Sequence, residues 1–148
     1  MKTNSSRKNL HRTVPVFALA ALLACGEDTT QPGNNQVSFS QQIQPIFTAS
    51  CALGGCHGSG NLQPPEKPMN LSAGQAYSNT VNVSSAQLGS MDRIEPGQPD
   101  QSYLVHKIQG THLQVGGSGV RMPATGNFLS QSQIDLIRTW VAQGAPNN

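Results

Sequence analysis

The sequence predicts a small all-α domain of about four short helices separated by long loops. Four segments begin at serine or aspartate signals for a helix start, and their apolar residues recur at helical spacings. No segment sustains the alternation of apolar and polar residues that a half-buried strand requires. At 148 residues the chain is sized for one domain.

The first helix is expected where Ser38 and Gln41 fit a capping box around an apolar face of Phe39, Ile43, Ile46 and Phe47, ending before Cys51. Pro45 lies inside that stretch and should shorten or kink it, because proline brings no N–H to the ladder. A second capping box, Ser72 with Gln75, precedes Ala76, Tyr77 and Val81. Asp100 is the expected cap for a helix from Tyr103 to Gln109, which Gly110 stops. The clearest helix follows Ser130 and Gln133: Ile134, Ile137 and Val141 share a face, Trp140 lies beside them, and Gly144 ends it.

Between these helices run residues 58–70, 82–99 and 110–127, longer than the loops a compact domain carries without a functional reason. Hydrophobic residues make up only 36% of the chain and aromatics 5%. Typical globular domains are roughly 45–50% apolar, so a bound group is expected to help fill the core.

The N-terminus reads as an export signal over residues 1–24. Lys2, Arg7, Lys8 and Arg12 precede an apolar stretch from Val14 to Ala24. That stretch is far shorter than the roughly 20 residues a bilayer span needs. It ends in Leu22, Leu23, Ala24 and Cys25, which resembles the lipobox of bacterial lipoproteins. The resemblance implies that Cys25 carries lipid, becomes the first mature residue and anchors the protein to a membrane of the cell envelope, facing the periplasm or the outer surface. An ordinary secretory signal would export the chain equally. The segment holds four of the nine basic residues and none of the seven acidic ones, so the remainder carries a net charge of −2. Nucleic acid is therefore not an expected partner. Residues 25–36 are polar, contain Pro and Gly, and read as a flexible tether. Residues 37–146 form the expected folded domain.

The chemistry concentrates at Cys51 and Cys56, the second followed at once by His57. A C-x-x-C-H pattern marks c-type haem attachment: two thiols bond the vinyl groups and the adjacent histidine ligates iron. Here four residues separate the cysteines, a spacing with more reach, and Gly54 and Gly55 can take the positive φ values of a bulged loop. The competing reading is a Cys51–Cys56 disulfide stapling a haem-free exported domain. Sixty-five residues after His57 comes Gly119-Val-Arg-Met122-Pro123, in a glycine-rich loop before the last helix. No nucleophile constellation, H-E-x-x-H or phosphate loop is present.

With these pieces in order, residues 38–144 resemble the class I cytochrome c family, in particular the single-haem domains of exported bacterial lipoproteins. The stretch from Pro96 to Leu104 and the ending from Ile137 to Ala145 are similar to recurrent segments of those domains. The resemblance implies one covalent haem c held by Cys51 and Cys56, with His57 as proximal and Met122 as distal iron ligand. It also implies electron transfer to redox proteins by transient docking, with no enzyme activity. Other distal candidates are His112, in the same loop, and His106, Met69 and Met91. Arg93 and Arg121 are candidate partners for haem propionates or simply solvated cations. A carbonyl of Pro64, Pro65 or Pro68 is a candidate to orient His57, and Trp140 to pack in the core or at the haem edge. Replacing Cys25 tests the anchor: Cys25→Ser should abolish incorporation of labelled fatty acid and release the exported chain from the membrane fraction.

Overall fold

The computed structural model describes residues 35–58 and 69–148. The export signal, Cys25, the tether up to residue 34 and Pro64, Pro65 and Pro68 lie outside the described residues. The domain is all-α. A π-helical turn, Phe39–Ile43, runs directly into α1, Gln44–Ser50, and is followed by α2, Ala76–Thr80, α3, Tyr103–Gln109, and α4, Gln131–Ala142. Short 3-10 turns at Pro99–Gln101 and His112–Val115 flank α3. Among the described residues there is no strand, only isolated bridges joining residue 81 to 94, 84 to 92 and 92 to 102. The predicted loop over 82–99 is thus folded back on itself and onto the start of α3.

The first helix begins at Ser38, whose hydroxyl accepts the Gln41 N–H at 3.3 Å. The reciprocal half of the expected box comes from Gln42 rather than Gln41: its side-chain oxygen takes the Ser38 N–H at 2.9 Å. The turn is wide, with Ile43 N–H reaching the Ser38 carbonyl five residues back at 3.3 Å, which carries residue 42 over the cap. Pro45 does not break the helix midway. It lies at the start of α1, where the wide π-helical turn gives way to α geometry. The capping box expected at Ser72 does not form: Gln75 at the helix start makes no side-chain cap. Instead the Ser72 carbonyl accepts the N–H groups of Gln75 and Ala76 at 3.0 and 3.1 Å, and the Ser72 N–H is taken by the Asn70 side chain at 2.9 Å. A turn built on Ser72 therefore replaces the first helical turn, and α2 is short.

Helix α3 has the predicted limits, and Gly110 ends it in the left-handed conformation at φ +82°. Asp100 does not cap it. Its carboxylate pairs with Arg138 of α4 at 2.8 Å, an exposed pair worth at most about 1 kcal/mol. Ser102 stands at the helix start, its hydroxyl receiving the Glu95 N–H at 2.9 Å and donating to the Gln98 carbonyl at 3.0 Å. The capping box of α4 is complete: Ser130 hydroxyl accepts the Gln133 N–H at 3.3 Å, and the Gln133 side chain accepts the Ser130 N–H at 3.0 Å.

The core forms where the π-helical turn and α3 meet α4. Ile43, Phe47, Val105, Ile137, Trp140 and Val141 are all buried there. Phe39 packs on Trp140 with ring centroids 5.3 Å apart and edge-on to Tyr77 at 5.4 Å. The Trp140 indole N–H donates to the Pro146 carbonyl at 3.0 Å, so its polar atom is satisfied inside the core. The two ends of the domain are clasped together: Phe39 N–H meets the Asn148 side chain at 2.7 Å, Ser40 N–H its backbone carbonyl at 2.8 Å, and Val37 N–H the Gln143 side chain at 2.7 Å. Trp140→Ala should lower the unfolding free energy by roughly 3–5 kcal/mol in a urea titration, the cost of a large aromatic cavity.

Candidate functional site

The loop that carries the paired cysteines starts where α1 stops. Cys51 N–H still reaches the Phe47 carbonyl at 2.9 Å, and the chain then closes on itself, with Cys56 N–H donating to the Leu53 carbonyl at 3.0 Å and His57 N–H to the Cys51 carbonyl at 3.1 Å. Four residues between the cysteines thus make one compact loop. Of its two glycines only Gly55 takes a positive φ, +77°. Gly58 is the more constrained: a Cβ there would lie 2.7 Å from the Ala52 carbonyl oxygen. Beyond residues 59–68 the chain returns to the same place, because Leu71 N–H donates to the His57 carbonyl at 2.6 Å.

Cys51 and Cys56 are free thiols, both partly exposed, and the disulfide of the competing reading is not formed. Burial, reinforced by the neighbouring Cys56 thiol, pushes the Cys51 thiol up to about 11. Burial also holds the His57 imidazole below its ordinary value; the Met69 backbone pulls the other way, and the positive charges of Arg93 and Lys107 add to the lowering. His57 is therefore a neutral imidazole at neutral pH, the form that ligates a metal. Its Nδ1 is buried and makes no bond of proper geometry with the described residues.

These residues border a solvent-open cleft with a cavity volume of about 100 Å3. Phe47, Leu71, Leu104, Ile108 and Leu129 give it an apolar wall. Cys51, His57 and Met122 line the same cleft, as does Met69. An adjoining cavity of about 200 Å3 shares Cys51, His57 and Met122 and adds Cys56 and Pro123. Residues 65 positions apart in the chain are thereby brought to one place. No cluster of three or more His, Cys, Asp or Glu residues suited to a bare metal ion occurs among the described residues.

Of the other distal candidates Met69 shares the cleft, and the rest lie elsewhere. His112 is buried, its Nε2 3.0 Å from the Gly119 carbonyl, and His106 is held between Thr111 at 2.8 Å and the Asp100 carbonyl at 3.0 Å. Neither borders the cleft, and Met91 does not either. Arg121 is also absent from it: its guanidinium lies 4.2 Å over the Phe128 ring and its Nε donates to the Ile108 carbonyl at 2.9 Å. The basic residues that do line the cleft are Arg93, 5% exposed and donating to the Asn79 carbonyl at 2.7 Å, and Lys107, 6% exposed. Lys107 was not legible as a site residue, because a lysine on a helix normally faces water. Trp140 belongs to the core and not to the cleft wall.

No family model matches the chain, and no curated protein matches it. Among solved structures, Kuenenia stuttgartiensis hydrazine synthase is similar, at 26% identity with a TM-score of 0.48 over 74% of this chain and 16% of that one. The chain spans about a sixth of that protein, and a likeness of this degree carries no argument about function.

The burial of Cys51 has a measurable consequence. With its thiol raised from an ordinary 9.0 to about 11, the folded, unmodified chain should alkylate at Cys51 on the order of a hundredfold more slowly at pH 8 than an ordinary cysteine. The raised value favours the neutral thiol in the folded state. Its contribution to stability is therefore present below about pH 9 and is lost as pH rises from 9.0 toward about 11. Mass spectrometry of alkylation against pH reads the first effect, and urea titrations at pH 8 and 11 the second.

Proposed function

We propose that residues 37–146 are a single-haem cytochrome c domain of the class I kind, an electron-transfer module held in the bacterial cell envelope by a lipid on Cys25. One observation carries this reading: Met122 and the Cys51, Cys56 and His57 loop, separate in sequence, border two cavities that share three of these four residues. The donor set suits the group. Two free thiols on one loop, a neutral buried imidazole and a thioether are the side chains that a covalent haem requires, and an apolar wall suits its macrocycle. The Met69 backbone, which acts on the His57 imidazole, is the group that would orient the ring.

In this reading Cys51 and Cys56 would hold the haem c as thioethers, and His57 and Met122 would ligate its iron. The haem supplies a one-electron iron couple. The chain's own contribution would be two ligand side chains and a mostly apolar wall around the group. His57 stays neutral because it is buried beside Arg93 and Lys107, so no proton competes for its ligand nitrogen near neutral pH. A thioether in place of a second imidazole sets a higher reduction potential. Arg93, in the cleft wall, is the group that would meet the haem carboxylates; Arg121, stacked on Phe128, is not, and the Lys107 ammonium is bonded to the Ser118 carbonyl. Were His57 and Met122 both to ligate the iron, no position would be left open for a substrate, and the domain is therefore read as an electron carrier and not an enzyme. Its partners are then redox proteins that dock transiently through small interfaces.

The test is to export the chain together with a haem-attachment system and extract the denatured protein with acid acetone. Colour and one haem mass retained on the polypeptide are expected, and both should vanish when Cys51 and Cys56 are both replaced by Ala. Met122→Ala should keep the haem and lower the midpoint potential. A colourless chain joined by a Cys51–Cys56 disulfide would overturn the reading, and an unchanged potential in Met122→Ala would remove Met122 as the ligand.

A further inference from the structure

We propose that Lys107 is a positioning residue for Met122, fastening both ends of the loop segment 118–122 to α3; the role of Met122 itself rests on the cytochrome reading. The backbone carbonyl of Lys107 accepts the Met122 N–H at 2.9 Å. Its ammonium, at the far end of the same residue, donates to the Ser118 carbonyl at 3.0 Å. One residue on a helix thus fixes the offset between the beginning and the end of the segment.

The surroundings leave the segment little freedom. Tyr103, one turn before Lys107 on α3, receives the Ser118 N–H on its hydroxyl at 3.1 Å. Arg121 Nε donates to the Ile108 carbonyl at 2.9 Å, and His112 Nε2 meets the Gly119 carbonyl at 3.0 Å. Contact is close enough to demand glycine: a Cβ at Gly117 would lie 2.5 Å from the Tyr103 hydroxyl, and one at Gly119 3.3 Å from the Lys107 Nζ. Lys107 is the costly member of this set. It is only 6% exposed and has no ion pair among the described residues, the Tyr103 ring centroid lying 6.0 Å from its Nζ. Burying an ammonium is unfavourable unless its donors are used, and burial accordingly lowers its pKa. A methionine would fill the same space without that cost. What the charge adds is a strong, directed bond to the Ser118 carbonyl.

The experiment compares the haem-loaded full chain with its Lys107→Met variant. The Met122 amide, bonded to a carbonyl that the substitution leaves in place, exchanges with solvent when the segment lifts from α3. Losing a hydrogen bond from a charged donor should speed that exchange about tenfold or more. The midpoint potential should fall, and the absorption of the oxidised protein that reports a thioether on iron should weaken. Lys107→Arg, which keeps a charged donor, should restore both. Unchanged exchange overturns the proposal, as does faster exchange with potential and absorption unaltered. Should Lys107→Met fail to fold, Lys107→Gln, with a shorter and neutral donor, must give the same changes. A chain that takes up no haem overturns the cytochrome reading alone, and the exchange rate of its Met122 amide then decides whether Lys107 fastens the loop.

Discussion

The packing of Phe39 against Trp140 closes this domain. It joins the first helical turn to the last helix, and the rest of the architecture depends on that closure. A five-residue π-helical turn and a seven-residue α1 are too short to be stable alone in water, so their order must come from what they bury. Trp140 offers the largest fully buried surface in the domain, and its indole N–H is satisfied by the Pro146 carbonyl, so it enters the core without stranding a polar atom. The clasp of Asn148 and Gln143 on residues 37–40 extends the same seam into hydrogen bonds. With the ends fixed, Cys51 is delivered at the end of α1 and α3 is laid alongside.

The cleft is what the short helices leave unfilled. Phe47, Leu104 and Ile108 turn apolar surface toward it, while Arg93 and Lys107 bring two nearly buried cations to the same wall. An apolar site with fixed positive charge favours a ligand that is mostly hydrocarbon and carries anionic groups. Burial lowers the His57 pKa and the same cations add to that lowering, so the electrostatics that suit an anionic edge also suit an uncharged ligand nitrogen. One arrangement thereby serves both binding and ligation. The loop bearing Met122 is not slack, although it runs for 18 residues and is rich in glycine. Its glycines at 110, 117 and 119 allow it to press against α3 and its neighbours, where side chains would collide.

Much of this was legible in the residues. Helix α3 has its predicted limits because Gly110 takes the left-handed conformation that stops a helix, and α4 has its predicted box because Ser130 and Gln133 are local partners. Local signals misled where a side chain found a better partner farther away. Asp100 went to Arg138, 38 positions on, and the Ser72 turn was built from the Ser72 carbonyl and the Asn70 side chain instead of a box with Gln75. Arg121 was a fair candidate for a site cation until the fold placed Phe128 under its guanidinium.

The sequence by itself determined the all-α class, the helix ends set by serine and glycine, and the Cys51, Cys56 and His57 loop, because these depend on neighbours within a few positions. Only the tertiary structure decided that Met122 and not His112 or Met91 borders the cleft, that Lys107 replaces Arg121 among its cations, and that Trp140 belongs to the core. Each of those choices is made by contacts between residues tens of positions apart. Chain spacing carries no information about such distances until the core has closed and fixed which faces of α1, α3 and α4 are already covered.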